Sequence, residues 1–302
     1  MSIKKLSIFI VMMINIANGY AQYISDHTYN TNDNEYLDIA LLNNYSIYST
    51  NDLLDRLRHN FIINYPHTQK VQFYEEYYSK HPKLILKFIN NAKPYLYYML
   101  TQIERYDLPG ELALIPMVES NFDPLIKNTS NDYAGLWQFI PITANRFSLS
   151  RCQNIDERLH AVKATNAALL YLQYLYQKFH QWDVAIGAYN IGEGAMMRSI
   201  NTNNCQVGNI NDYESLKLRA ITINYVAKII ALANIFKHPE KYSLHFPTLP
   251  NEPYFIVKSN VVQDAINSIS MEYDKDTKSL NPQFKQVFTS NQQDNLQILL
   301  PY

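Results

Sequence analysis

Apolar residues return every three or four positions through most of the chain between Val71 and Phe236, and that period is what most constrains the fold. Leu84, Ile85, Phe88 and Ile89 form one such set, and Leu96, Met99, Leu100 and Ile103 form the next. Pro82 and Pro94 suit the first turns of two separate helices. Pro109 and Gly110 then punctuate the chain before a helical stretch at 111–119. The strongest pattern is 157–179, where Leu159, Val162, Ala167, Leu170, Leu172 and Leu175 supply apolar stripes. Residues 183–190 and 193–200 read as two shorter helices broken at Gly192, and 220–236 as another strong one. The polar stretch 120–150, carrying Gly135, predicts loops or a small hairpin. The expected class is mainly α, or α+β with a very small sheet.

The beginning of the chain carries a different signal. Lys4 and Lys5 precede an almost wholly apolar run at 6–14, and Gly19 and Ala21 follow as small residues. This is the pattern of a secretory signal peptide over 1–21, and the run is too short for a spanning helix. The first cysteine is Cys152, so the lipid anchor of a bacterial lipoprotein is not expected. The mature chain is expected to start near Gln22 in an oxidising compartment, soluble or loosely held at a membrane. No second hydrophobic stretch reads as long enough to cross a bilayer. Residues 22–69, rich in Asn, Tyr, Asp and Ser, read as an extended or loosely packed arm with a short helix near 51–60.

The main helical domain is then placed at 70–250, with a small appendage at 251–302. In that appendage 254–257 and 296–300 are β-prone and 261–266 reads as helical.

With Lys4 and Lys5 removed, the formal charge moves from -1 to -3. Nothing in that balance calls for nucleic acid as a partner. The eight histidines are scattered and no glycine loop is built to cradle phosphate, so neither a metal nor a nucleotide cofactor is expected. Cys152 and Cys205 would close a loop of roughly 50 residues, worth about 4 kcal/mol if bridged. Spacing alone leaves open whether they pair.

Glycine is scarce, with 7 in 302 residues, so its clustering is informative. Four segments stand out. In Ile115-Pro116-Met117-Val118-Glu119-Ser120 a carboxylate follows an apolar helical run, where partial desolvation raises its pKa toward that of a useful general acid. A glutamate at a helix end is also commonly just solvated. In Ala134-Gly135-Leu136-Trp137-Gln138-Phe139-Ile140-Pro141, Gly135 permits close backbone approach and Gln138 offers donors and acceptors to sugar hydroxyl and acetamido groups. The same residues read equally as a buried turn with Leu136, Trp137, Phe139 and Ile140 in the core. Gly187-Ala188-Tyr189-Asn190-Ile191-Gly192-Glu193-Gly194 places two polar tips at a helix end, or forms an ordinary helix cap. Thr222-Ile223-Asn224-Tyr225 alone reads as core packing.

In this order the four segments resemble the lytic transglycosylases of the soluble and membrane-bound D type, whose catalytic domain is lysozyme-like. Glu119-Ser120, Gly135 to Pro141, Ala188 to Gly192 with the following Glu-Gly, and Tyr225 match that family's motifs. The likeness covers roughly 102–242 and fades outside. It implies cleavage of the β-1,4 bond between N-acetylmuramic acid and N-acetylglucosamine in the periplasm, with peptidoglycan glycan strands as the partner. Glu119 is the implied catalytic acid and base, and Ser120, Gln138, Tyr189, Asn190 and Tyr225 are the implied substrate-binding residues. With one carboxyl, the substrate's own acetamido oxygen attacks the anomeric carbon, and the C6 hydroxyl then closes a 1,6-anhydro ring.

Two departures stand beside the resemblance. The family usually carries repeated LysM modules, whereas 251–302 reads as at most a degenerate single module, and Ala227 stands where the family often has proline. Asp123, Asp132 and Glu193 are the rival acids. Asp123 reads as a turn residue before Pro124, and Glu193 is the strongest rival. The competing readings are a hydrolase of the goose-type lysozyme class and a catalytically idle wall-binding protein.

Overall fold

The computed structural model describes residues 50–128, 132–152, 155–210, 213–261, 275–284 and 296–302. The chain divides into two compact units, Met1–Asn44 and Tyr45–Tyr302, and every described residue belongs to the second. The expected signal peptide at 1–21 and the first part of the polar arm lie outside the described residues.

The second half of that arm is not loose. Helix α1 (Leu53–His59) is opened by Asp52, whose carboxylate accepts the Leu54 amide. It buries Leu53, Leu54 and Leu57 completely or nearly so. Its Arg56 is buried as well, paired with Glu104 at 2.6 Å. The boundary expected at residue 70 is therefore no break in packing. The composition of 50–69 is polar, but Leu53, Leu54 and Leu57 fall on one face of α1. Helix α2 (Gln69–Ser79) follows, capped by Thr68.

Pro82 does open a helix, but Pro94 does not: α3 (Pro82–Arg105) runs through it. Pro94 removes one backbone hydrogen bond, at about 3 kcal/mol. Ile85, Phe88, Ile89, Ala92, Leu96, Met99, Leu100 and Ile103 form one buried face on both sides of it. Each large side chain there contributes ~1.5–3 kcal/mol by burial, so the packed face outweighs the missing bond.

A 3-10 turn at Gly110–Leu114 leads into the short helix α4 (Ile115–Glu119). The stretch expected to be irregular holds the two-residue strands β1 (Lys127–Asn128) and β2 (Tyr133–Ala134), paired antiparallel, and also a helix, α5 (Pro141–Arg146). The strongest predicted helix begins later than its pattern, because a 3-10 turn at Glu157–Leu159 precedes α6 (Ala161–Phe179). Helices α7 (Trp182–Ile191) and α8 (Glu193–Thr202) break at Gly192 as expected.

Helix α9 (Ala220–Lys237) is the centre of the core, packed against α1, α2, α4, α7 and the Gly110–Leu114 turn. Among the described residues it is the one helix long and apolar enough to cross a bilayer, which corrects the reading that no second such stretch exists. Two thirds of it is buried inside the protein. A helix apolar on nearly all sides is what a central core position requires.

The appendage forms an antiparallel pair, β3 (Phe255–Val261) with β4 (Leu296–Pro301), in register from Phe255↔Pro301 to Lys258↔Ile298 and shifted before Val261↔Leu296. Helix α10 (Lys275–Leu280) packs on β4. Val261, read as the start of a helix, ends β3, and 262–266 lie outside the described residues. Asp156 donates its amide to Gln283 O, tying this piece to the main domain. Cys152 and Cys205 are both free thiols.

Candidate active site

Glu119 ends α4, and the chain leaves it by a tight reversal. Asn121 and Phe122 both adopt positive φ, 54° and 57°. Such backbone strain persists only where the surroundings over-determine it. Phe122 is buried and its amide returns to Pro116 O, while Asn91 donates to Asn121 O at 2.8 Å. Asp123 then accepts the Leu125 amide, so it is the turn residue its place before Pro124 suggested.

The loop facing Glu119 is held from behind. Gly135 has φ +82°, and a Cβ there would stand 2.0 Å from Arg158 O, so the close approach read from this glycine is real. Trp137 is fully buried and donates to Thr165 Oγ1 at 3.0 Å. Leu136 and Phe139 are buried beside it. The reading of this motif as core thus holds for Leu136, Trp137 and Phe139, whereas Ile140 is half-buried. Ser120 donates to Leu136 O at 2.8 Å, and Tyr189 donates to Trp137 O at 2.8 Å. Three motifs that are far apart in sequence converge on this one turn.

These residues enclose a cleft of about 940 Å³, lined by Glu119, Gln138, Tyr189 and Asn190 together with Tyr133, Ser199, Thr202 and Thr222. Ser120 and Tyr225 do not line it. Ser120 is buried, with its hydroxyl committed to backbone carbonyls, so it anchors the loop and has no surface to offer a substrate. Tyr225 is buried on α9 and donates to Glu119 Oε1 at 2.6 Å.

Burial pushes the Glu119 carboxyl up to about 7, and the Tyr225 hydrogen bond pulls it partly back. Burial and the Glu119 charge together raise the Tyr189 and Tyr225 hydroxyls well above their ordinary range, so both stay protonated. The side-chain nitrogen of Gln138 is used on Ile126 O and Gly135 O, and Asn190 accepts from Thr222 Oγ1. One amide therefore keeps a carbonyl for the cleft and the other keeps its nitrogen.

The rival acids are engaged elsewhere. Burial works against the Glu193 charge, but hydrogen bonds from Tyr174 and Lys178 and the charge of Arg146 overcome it and hold its pKa below the ordinary range. Asp132 is likewise lowered, first by its hydrogen bond from Arg151 and then by Arg158. Among the described residues lining the cleft, Glu119 is the one acid, and no group of three His, Cys, Asp or Glu is placed to hold a metal.

The sequence reading did not anticipate Tyr133, Arg198, Lys217, Arg219 or Ile221, all of which line the cleft. They lie outside the four motifs, and no local pattern marks them. Thr222 opened the fourth motif, and its pairing with Asn190 depends on α7 meeting α9.

Residues 98–210 match the family model described as the Transglycosylase SLT domain. The chain is 35% identical over 184 residues to the membrane-bound lytic murein transglycosylase D of Escherichia coli (strain K12), and equally to that of Escherichia coli O6:H1. Those alignments cover 61% of this chain and 40% of each relative, so the chain spans about two fifths of their length. It is 34% identical over 167 residues to a protein of Alteromonas sp. (strain M-1) named for tributyltin chloride resistance, covering 55% of this chain and 78% of that relative.

Proposed function

The chain belongs to the transglycosylase SLT domain family, with its mainly α, lysozyme-like fold, and from that premise we propose that it is a peptidoglycan lytic transglycosylase of the cell envelope. It cleaves the β-1,4 bond between N-acetylmuramic acid and N-acetylglucosamine and leaves 1,6-anhydromuramic ends. The observation that carries this reading is a single carboxyl on the cleft wall, raised to about 7 and held by Tyr225.

A carboxyl poised near neutral pH can donate a proton and then take one back. In the first step Glu119 protonates the leaving glycosidic oxygen while the muramic acetamido oxygen attacks the anomeric carbon. In the second the Glu119 carboxylate accepts the proton of the C6 hydroxyl, whose oxygen displaces the acetamido oxygen and closes the ring. No water is consumed. Two-carboxylate glycosidases set a second acid against the sugar as nucleophile or as base for water. Among the described residues of the cleft lining, only Glu119 offers such roles, so the tethered hydroxyl wins by proximity, with effective concentrations that reach ~10^5 M in well-oriented cases. Tyr225 steadies the carboxylate between the steps. The Gln138 carbonyl and the Asn190 amide nitrogen suit the N–H and C=O of an acetamido group, and Tyr189 fixes the wall between them.

Mass spectrometry of a peptidoglycan digest tests this. Anhydromuropeptides, lighter than hydrolysed equivalents by one water and resistant to borohydride at the muramic end, are the expected product. Reducible muramic ends as the main product would replace the lyase reading with a hydrolase one.

A further inference from the structure

We propose that the cationic rim of the cleft, Arg198, Lys217 and Arg219, binds the carboxylates of the peptide stem carried by the muramic unit, so that the enzyme selects peptide-bearing over bare glycan. The inference rests on the peptidoglycan reading above and concerns the choice of substrate within that cleft.

The three residues reach the rim from two places. Arg198 stands on α8, and Lys217 and Arg219 stand on the segment leading into α9. All three are exposed, and among the described residues no carboxylate forms an ion pair with any of them. Other cations near this part of the fold are neutralised, since Arg146 and Lys178 share Glu193. The chain as a whole carries a charge of -1, so a cleft wall with three cations and one acid among its described residues is a local concentration that composition does not supply. Like charges gathered in a cleft repel one another, and the field they focus there favours an anionic ligand.

The sugar rings of the glycan are uncharged and give these side chains nothing to neutralise. The lactyl ether of the muramic unit is where charge enters. It bears either a short peptide with several carboxylates or, once stripped, a single carboxylate of its own. The surroundings favour the peptide. Ile221, 70% exposed, and Leu218 line the same wall, which suits the methyl groups of alanine residues beside the acidic ones. A single lactyl carboxylate would leave most of the rim charge unmet.

The test compares kcat/KM on three forms of one glycan: strands with native stems, strands whose stem carboxylates have been amidated, and strands stripped of stems to leave the lactyl carboxylate. The wild-type protein at low salt is expected to prefer native over amidated strands by at least ~10-fold, and that preference should shrink as salt screens it. In an Arg198→Gln/Lys217→Gln/Arg219→Gln variant the ratio should approach one. Equal turnover of native and amidated strands by the wild-type protein would overturn the proposal. Stripped strands matching native ones would reassign the rim to the lactyl carboxylate and overturn it too. Co-sedimentation of the same strands with Glu119→Gln protein ranks them without turnover. Loss of cleavage on all three would strike the reaction itself, and the binding order would still judge the rim.

Discussion

At the scale of single residues, the decisive quantity is the protonation of Glu119. Its acid form starts the proposed reaction, and its folded pKa of about 7 lies above the value of 4.5 for an unperturbed glutamate. Activity measured as kcat/KM should therefore fall as pH rises through 7, approaching tenfold per unit above it. A rate that climbed through this range would contradict the acid role. Glu119→Gln keeps the shape and can still accept from Tyr225, but cannot transfer a proton, so muropeptide release should drop at least ~100-fold. Retention of more than a tenth of the wild-type rate would sink the assignment. The stability sign runs the other way. A carboxyl whose folded pKa is raised costs stability above its unfolded pKa and costs nothing well below it. The glutamine variant should thus be more stable by on the order of 2 kcal/mol at pH 8 and no different near pH 4. Denaturant titrations at the two pH values measure that difference. The chemistry of this residue was visible in the sequence, because an apolar run ending in a carboxylate implies desolvation. The Tyr225 contact was not, because 106 positions separate the two residues.

At the scale of elements, the turn at 134–139 organises the site. It receives Ser120 from the end of α4 and Tyr189 from α7 on adjacent carbonyls, and its Gly135 lies against Arg158. Arg158 is itself buried, clamped to Asp156 and donating to Phe139 O. Gly135→Ala should destabilise the protein by about 3 kcal/mol or more, since it adds both a steric clash and a strained φ. Urea unfolding checks this, and a midpoint within error of wild type would contradict the close approach. Gly192 is different: its φ is +86° but a Cβ there meets nothing within 4 Å, so only the backbone conformation is at stake. Both glycines were legible as special, Gly192 from the cluster at 187–194 and Gly135 from its place in the motif at 134–141. Which one sits against a neighbouring carbonyl depends on where 157–159 folds back, and no local pattern records that.

At the scale of the whole molecule, the ends of the described fold are tied together across α3. Arg56 bonds Glu104 through two nitrogens, Thr101 through one of them, and Asn251 through the third. Leu53 donates its amide to Leu249 O. Arg56→Ala would leave Glu104 buried without its partner, at a cost of about 3–5 kcal/mol. In a domain of this size that corresponds to a melting point lower by roughly 10 °C. An Arg56→Met/Glu104→Met double variant should recover most of the loss, because no uncompensated charge remains. Calorimetry on the two variants decides it, and an unchanged melting point for Arg56→Ala would mean that the pair contributes no tertiary stability. The sequence by itself determined the helical class, the placement of most helices, the turn at Asp123 before Pro124 and the carboxyl to consider first. Each of these follows from periodicity or from a backbone demand met within a few residues. Tertiary structure alone decided that α3 continues through Pro94, that 50–69 joins the core, that Ser120 is an anchor, and that three cations border the cleft. Those outcomes depend on burial and charge contributed by distant segments, and a side chain's own neighbours in sequence do not encode them.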